Sequence, residues 1–220
     1  MLHMLPLCNQ LIIETHAVLM ENVRWQDKCP GEFKSSQNWI GGKGSTLKNA
    51  RFIPPNPTNT IEYMSDLEKH MNSDDTLDIL TQAALMHYQF ETIHPFLDGN
   101  GRVGRLLITL FLMEKKVLTS PALYISYFLK SNRIEYYDRM TEVKSKGNYE
   151  QWIMFFLRSV AESAEDAIII LNVLHKLQEE NYAKLDTIDR TRTNAAMIFE
   201  YIKQNPFVET QKQPMLLGQL

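Results

Sequence analysis

The run RVGRLLITLFLMEKK, at residues 102–116, constrains the fold of this 220-residue chain more than any other feature of its sequence. After the first turn, apolar side chains occupy nearly every side of the helix that this run would form. A helix that is apolar all round has to be buried. The run therefore predicts a central helix around which the other elements pack. The chain is long enough to bury a full core, with one ordinary domain and a fragment of a second.

Helical periodicity extends over most of the remaining chain. Apolar residues between Leu5 and Val23 recur at three- and four-residue spacing, which predicts a first helix with one buried face. No convincing series of strands is present. We therefore predict an all-α protein, with further helices at about 60–72, 76–93, 123–130, 132–146 and 149–183.

The segment between Lys28 and Pro57 lacks this periodicity. It reads CPGEFKSSQNWIGGKGSTLKNARFIPPNP, rich in glycine, proline and small polar residues, which predicts an irregular, hairpin-like surface segment. Loops of this length inside a compact domain usually have a functional task. The segment is therefore a candidate part of a binding site.

Composition excludes several classes of protein. With 44% hydrophobic and 22% charged residues the chain is typical of a soluble globular protein, and no apolar run approaches the roughly 18 residues that span a bilayer. Cys8 and Cys29 stand far apart, without a neighbouring Cys/His group, so we expect no disulfide framework or zinc site and a cytoplasmic location. A net charge of −3 argues against a protein that binds nucleic acid over its whole surface.

The chemically richest segment is HPFLDGNGRVGR, residues 94–105. Gly99 and Gly101 lie where the chain turns into the central helix, and glycines let backbone N–H groups approach a ligand closely. The helix N-terminus adds its positive end. Arg102 and Arg105 oppose the helix dipole at this end, so an anionic ligand is the simplest compensation. The segment predicts a phosphate-binding site.

Two further side chains suit chemistry beside such a site. Asp98 is placed to hold Mg²⁺, which favours one or two carboxylates together with substrate phosphates. His94 is placed to take a proton from an attacking hydroxyl. An isolated His after a helix is more often structural, and an Asp-Gly pair usually makes a turn. Their joint arrangement favours the functional interpretation, whereas Phe96 is assigned to the core.

This segment closely resembles the signature of the Fic (filamentation induced by cyclic AMP) family, HxFx(D/E)GNGRxxR, at every specified position. The resemblance continues in PGEFKSSQNWIGG, similar to the family's flap, in FIPPNP, similar to its linker, and in HYQFETIHPF, similar to its lead-in helix. It implies a Fic-type helical bundle with a short β-hairpin flap at about residues 30–45. The predicted Fic domain covers residues 1–185.

The resemblance also implies an activity. Fic enzymes typically move AMP from ATP to a Ser, Thr or Tyr hydroxyl of a target protein, which makes this chain a predicted protein adenylyltransferase. By the resemblance, His94 is the general base, Asp98 binds Mg²⁺, and the two arginines hold the outer phosphates. The implied nucleotide-binding residues of the signature are Asp98, Gly99, Asn100, Gly101, Arg102, Val103, Gly104 and Arg105.

Additional nucleotide contacts are implied outside the signature. The flap would border the nucleotide and align the target hydroxyl by strand-like pairing, although an ordinary surface hairpin is the alternative interpretation. Aromatic faces are suitable walls for a base, but paired tyrosines on a helix are more often core residues. The residues concerned are Asn38, Trp39, Ile40 and Gly41 in the flap, and Tyr136 and Tyr137, which resemble the family's adenine-side tyrosines.

The chain departs from many relatives in one respect. They carry an inhibitory motif, (S/T)xxxE(G/N), which is absent from all 220 residues. Either the chain is a piece that lacks an N-terminal inhibitory helix, or a separate protein inhibits it. Residues 186–220 resemble a linker and the start of a truncated winged-helix module, so we expect DNA binding only if that module is complete.

Other functions stay open at this stage. The same scaffold accommodates transfer of phosphate, UMP or phosphocholine, and a nucleotide-binding regulatory module is a third possibility. Gly101 favours AMP, since a lysine there would point towards phosphate transfer. The target protein, removal of AMP from it and homo-oligomer formation are not determined by the sequence.

Overall fold

The computed structural model describes residues 6–21, 29–42, 44–74, 76–188 and 192–205. Within these ranges the chain is helical and contains no regular strand, as predicted. Leu5 and Val23, the ends of the first predicted helical pattern, lie outside the described residues. The helices are α1 Asn9–Met20, α2 Pro57–Met71, α3 Ile79–Ile93, α4 Asn100–Glu114, α5 Ile125–Ser131, α6 Arg133–Lys146, α7 Tyr149–Asp186 and α8 Arg192–Gln204.

Helix α4 contains the predicted central run. Leu107, Ile108, Phe111 and Leu112 are each at most 2% exposed, and both α1 and α3 pack against the helix. Helix α2 packs in turn against α3 and α1. The prediction of a buried central helix is confirmed.

The first part of α7 completes the core on another side of α3. Trp152 is fully buried, and its indole Nε1–H donates a hydrogen bond to the Ala84 carbonyl at 2.9 Å. Its ring lies 5.9 Å from the Tyr88 ring and 6.2 Å from the Phe156 ring, measured between centroids. This aromatic cluster anchors α3, the helix that leads into the signature segment.

Two residues with positive φ bracket the connection between α3 and α4. His94 ends α3 in the left-handed region at φ 50° and ψ 60°, and Gly99 precedes α4 at φ 80°. Glycine adopts this conformation without a steric cost, whereas histidine does so only occasionally. The chain between α3 and α4 therefore turns sharply twice, and this turn forms the floor of the site.

The flap is less regular than a β-hairpin. One antiparallel bridge joins Ile40 and Phe52: the Ile40 N–H donates to the Phe52 carbonyl at 2.9 Å, and the Phe52 N–H donates back at 3.1 Å. Gly41 and Gly42 follow the bridge on one side, and Pro54 on the other has no N–H to extend a ladder. The described part of the flap is therefore a loop closed by a single pair of residues.

Contacts divide the chain into two compact units, Met1–Glu165 and Asp166–Leu220. In the second unit the Tyr182 hydroxyl bonds to the Glu200 carboxylate, and the Tyr182 and Phe199 rings meet edge to face. The domain boundary expected at 185/186 coincides with the end of α7 and stays a prediction. So does the winged-helix module, whose residues 206–220 lie outside the described ranges. None of the described helices has the length and apolarity needed to cross a membrane.

Candidate active site

A cavity of about 470 Å³ lies between the flap, the signature segment, α3 and α6. Its volume is in the range of small-molecule binding sites. Most of the predicted site residues reach its wall. The lining residues are Trp39, Ile40, Gly41, Arg51, Phe52, Tyr88, Glu91, Thr92, His94, Leu97, Asp98, Gly99, Asn100, Gly101, Arg102, Arg105, Tyr137, Met140, Thr141 and Lys144.

The turn into α4 is held by its own side chains. Asn100 Oδ1 accepts the Phe96 N–H at 2.8 Å, and Asn100 Nδ2 donates to the Phe96 carbonyl at 2.7 Å. Asp98 Oδ1 accepts the Gly99 N–H at 2.7 Å. The first N–H groups of a helix have no partner within the helix. Asn100 and Gly101, the first two residues of α4, line the cavity together with Arg102 and Arg105, so this end of the cavity suits an anion.

His94 stands at the edge of this anion site. Its side chain is 18% exposed, and its Nδ1 lies 3.9 Å from a carboxylate oxygen of Glu91. Burial lowers the pKa of His94 to about 4, and the charge of Lys34 acts in the same direction, against the Glu91 backbone and the charge of Asp98. The imidazole is therefore neutral at pH 7, as a general base must be.

The two arginines differ in their contacts. The Arg102 guanidinium donates to the Leu19 carbonyl at 3.2 Å and also contacts the Met20 sulfur. Arg105 makes no side-chain hydrogen bond or ion pair with any residue of the described ranges, and its Nη1 would lie 3.1 Å from a Cβ added at Gly101. A side chain at position 101 would therefore push Arg105 aside. Of the two arginines, Arg105 is therefore the one that can receive a ligand without giving up a hydrogen bond to another described residue.

Glu91 is a cavity residue that the sequence analysis missed. It is 7% exposed, and burial raises the pKa of its carboxyl to about 7 against the opposing effect of Arg105. A Cβ added at Gly104 would lie 2.5 Å from Glu91 Oε1, so the absence of a side chain at Gly104 makes room for this carboxyl group. An acidic residue one helical turn before His94 was the available signal in the sequence.

His16 on α1 is a second residue that the sequence analysis did not single out. The Gly31 N–H donates to His16 Nδ1 at 2.9 Å, which places the ring proton on Nε2. Nε2 then donates to the Asp98 carbonyl at 3.0 Å. The ring also stacks on Phe96, with centroids 3.8 Å apart and planes 8° from parallel. His16 thus joins α1 and the start of the flap to the signature turn, and the core position predicted for Phe96 is confirmed by its 0% exposure.

We expect His16→Ala to lower the free energy of unfolding by about 2–4 kcal/mol, because it removes the stack and leaves two partly buried backbone groups without their present partner. His16→Phe is the matched control, since it keeps an aromatic ring against Phe96 and loses only the hydrogen bonds. Urea denaturation of the three proteins measures both effects. Equal stability of His16→Ala and the wild type would contradict this role.

Tyr136 and Tyr137, adjacent in sequence, lie in different surroundings. Tyr137 lines the cavity, with the Arg51 guanidinium 5.0 Å from its ring centroid. Tyr136 is not among the lining residues; its hydroxyl lies 3.2 Å from His87 Nε2, and its ring packs against Trp152 at 5.8 Å. Only Tyr137 is therefore brought to the cavity, and Tyr136, which is partly buried, packs against the core.

The remaining predicted residues also divide between wall and support. Trp39, with Ile40 and Gly41, lines the cavity, whereas Asn38 is 8% exposed and lies behind the wall. Val103 and Gly104 face the buried side of α4 and are not among the lining residues. Asn38, Val103 and Gly104 therefore act on the cavity through packing and backbone contacts. Arg51 and Lys144 are further lining residues that the sequence analysis missed.

Comparison with known proteins gives one family. Residues 6–112 match the model described as the Fic/DOC family. The chain is 33% identical over 160 residues to "Protein adenylyltransferase Fic" of Drosophila erecta, a match that covers 71% of this chain and 28% of the relative. For the protein of the same name from Drosophila melanogaster the identity is 34% over 140 residues, covering 63% and 24%. The chain thus spans about a quarter of the length of the curated relatives that it matches.

Solved structures show the same fold. A Fic family protein from Desulfovibrio desulfuricans superposes with a TM-score of 0.62 at 24% identity, covering 73% of this chain and 47% of the other. A Fic domain containing signaling protein from Bacteroides thetaiotaomicron superposes with a TM-score of 0.56 at 22% identity, covering 74% and 63%. At these identities the likeness supports the helical fold alone.

Proposed function

Because this chain belongs to the Fic/DOC family through its residues 6–112, we propose that it is a protein adenylyltransferase, which transfers AMP from ATP to a Ser, Thr or Tyr hydroxyl of a target protein. One observation carries the proposal. A single cavity contains a neutral imidazole at His94, a carboxylate at Asp98 and two arginines in the first two turns of α4. These are the groups that nucleotidyl transfer to a hydroxyl requires.

The proposed reaction follows from the charges. The target hydroxyl attacks the α-phosphorus of ATP, the new O–P bond forms, and the bond to pyrophosphate breaks. His94 accepts the hydroxyl proton, which makes the oxygen a better nucleophile. Negative charge develops on the leaving pyrophosphate, and Arg102 and Arg105, with the N–H groups that begin α4, are placed to stabilise it.

A magnesium ion fits the residues at the turn. Asp98 offers a hard carboxylate oxygen beside the anion site, with its Oδ1 fixed by the Gly99 N–H. No three His, Cys, Asp or Glu side chains of the described ranges group together to hold a metal by themselves. Mg²⁺ commonly binds through one or two carboxylates plus substrate phosphates, so Asp98 suffices as the protein ligand. When bound with ATP, the ion would neutralise phosphate charge.

The flap is the proposed docking site for the target. Ile40 uses its N–H and carbonyl in the bridge to Phe52, so the backbone groups of its neighbours Trp39 and Gly41 point to the opposite edge. An extended target segment could pair along that edge, as in other cases of strand addition. Tyr137, across the cavity, is the proposed wall for the adenine ring. The free thiols of Cys8 and Cys29 support a cytoplasmic site of action.

The proposal is tested by incubating the chain with α-labelled ATP and Mg²⁺, alone and with cell extract, followed by intact-mass analysis. An increase in protein mass by one AMP supports adenylyl transfer. Labelling by UTP, GTP or CDP-choline instead of ATP would mean that the enzyme is a Fic-type transferase with a different donor. Nucleotide binding without transfer from any donor would favour the regulatory module over the enzyme.

The pH dependence of transfer gives a sharper test of the base. Because burial lowers the pKa of His94 to about 4, it stays unprotonated as the pH falls from 7.5 to 5.5. In Glu91→Gln, which removes the neighbouring carboxyl that titrates at about pH 7, we expect kcat/KM to stay within about twofold over this range, whereas an imidazole of ordinary pKa would cause a loss of about tenfold. Circular dichroism at each pH checks that the fold persists. A drop centred near pH 6.5 would contradict the lowered pKa.

A further inference from the structure

Lys34 is a buried cation in the first part of the flap. Its side chain carries a charge, yet the residue is only 3% exposed. Within the described residues its ammonium forms no salt bridge; Nζ donates to Asn38 Oδ1 at 3.1 Å and to the Ile93 carbonyl at 3.0 Å. Lysine is almost never buried without a charged partner. Its position therefore calls for a specific explanation.

The end of α3 explains why the Lys34 ammonium lies here. Ile93 is the last residue of α3, so its carbonyl belongs to the negative end of the helix, where a cation is favoured. Burial lowers the pKa of Lys34 to about 8, so the amine still carries its charge at neutral pH. His94, the proposed base, is the next residue along the chain. Lys34 thus lies where α3 stops and the signature turn begins.

Additional hydrogen bonds connect this lysine to the same turn. The Lys34 backbone N–H donates to the Pro95 carbonyl at 2.7 Å. Asn38, which accepts from the ammonium, donates through Nδ2 to the carbonyls of His94 at 3.1 Å and Phe96 at 2.8 Å. Four successive carbonyls, at residues 93–96, therefore receive hydrogen bonds from Lys34 or Asn38. We call these two residues the Lys34–Asn38 clamp.

The clamp acts on a strained part of the backbone. His94 occupies the left-handed region at φ 50°. A non-glycine residue keeps this conformation only where its surroundings hold it there. The clamp donates hydrogen bonds to the carbonyls of residues 93, 95 and 96, which lie on both sides of His94, and to the carbonyl of His94 itself. The other end of the clamp leads directly into Trp39 and Ile40, the cavity-lining part of the flap.

We propose that Lys34 is a positioning residue that fixes the backbone of His94 relative to the flap, so that a hydroxyl docked along the flap meets the base at reacting distance. This inference rests on the proposed transfer function. It predicts that Lys34 affects the transfer step rather than nucleotide affinity, because Lys34 does not line the cavity.

Lys34→Met is the direct test, since it keeps most of the aliphatic stem and removes the charge and both Nζ hydrogen bonds. We expect kcat for transfer to fall about 10²-fold, the order expected for a misplaced reacting group. The Kd for ATP and its one-to-one binding stoichiometry should not change. Lys34→Arg keeps a donor cation and should recover most of the rate. Lys130→Met, which removes an exposed lysine of α5 away from the cavity, should match the wild type.

A double-mutant cycle tests whether the two clamp residues act together. Asn38→Leu has a similar shape and cannot bond to the carbonyls or to Lys34. If the clamp is one unit, the double variant Lys34→Met with Asn38→Leu loses about as much as the more impaired single variant. Independent roles would instead make the losses multiply, to about 10⁴-fold, and would overturn the inference.

A readout that does not depend on activity keeps the inference separate from the proposed function. The ring resonances of His94, assigned by their loss in His94→Ala, should shift or broaden in Lys34→Met and stay in place in Lys34→Arg and Lys130→Met. His87 and His175 serve as internal controls for the fold. If the wild type transfers no group, the proposed function fails and the resonances alone decide on the clamp. Unchanged His94 resonances in Lys34→Met, or full transfer by this variant, would overturn the inference that Lys34 positions His94.

Discussion

Replacing His94 by alanine is expected to slow adenylyl transfer by about 10²–10⁴-fold, the usual contribution of a general base. The affinity for ATP should change little, because the phosphate contacts proposed for Arg102, Arg105 and the start of α4 do not involve the imidazole. Rates with labelled ATP and a Kd from calorimetry measure the two quantities separately. A large loss of ATP binding in His94→Ala would contradict the role assigned to this residue.

The backbone at His94 requires a second variant. Alanine is uncommon in the left-handed region, so His94→Ala alters the turn as well as removing the base. Asparagine tolerates this conformation and cannot act as a base, which makes His94→Asn the matched control. We expect both variants to be equally impaired. Substantial activity in His94→Asn would show that the turn, and not the imidazole, limits the reaction.

Replacing Trp152 by alanine is expected to lower the free energy of unfolding by about 3–5 kcal/mol, the usual range for a buried tryptophan. The residue is fully buried, contacts the rings of Tyr88, Tyr136 and Phe156, and bonds to the Ala84 carbonyl. Its loss leaves a cavity beside α3 and a carbonyl without its partner. Urea denaturation, with the slope checked for two-state behaviour, measures the effect.

Trp152→Phe separates packing from hydrogen bonding. It keeps an aromatic ring in the cluster and removes the Nε1–H bond to Ala84, so we expect a loss of about 1–3 kcal/mol. The order wild type, Trp152→Phe, Trp152→Ala in stability is the expected result. If both variants were equally stable, the cluster would contribute little and the position of α3 would have another cause.

The helices were predictable because their signals are local. The apolar run of α4 and the periodicity of the other helices depend on neighbours three and four positions apart, and Asn56 and Asp78, which cap α2 and α3, are local signals too. Helix ends were less predictable: α7 continues to Asp186, three residues beyond the expected 183. The flap illustrates the limit of composition, since glycines and prolines indicate a turn but not how many residues pair.

The candidate site was predictable where it is continuous in sequence. Residues 94–105 form the connection after α3 and the first two turns of α4, so their proximity follows from the chain itself. Lys34 and His16 reach that turn only through the tertiary fold, and nothing in their local sequence indicates it. The Tyr136–Tyr137 pair shows a related limit, because adjacent residues on a helix point in different directions, and only packing decides which of them faces the cavity.

The bond between His16 and the Asp98 carbonyl joins residues 82 positions apart, and the bond between Lys34 and Ile93 spans 59. Contacts of such sequence separation require closure of a long loop, and they form late when helices with local contacts fold first. The signature turn should therefore reach its final geometry only after α1 has docked on an assembled α3–α4 pair. Partial detachment of α1 would then abolish catalysis while most helices stay folded, so thermal inactivation should precede the loss of helical signal.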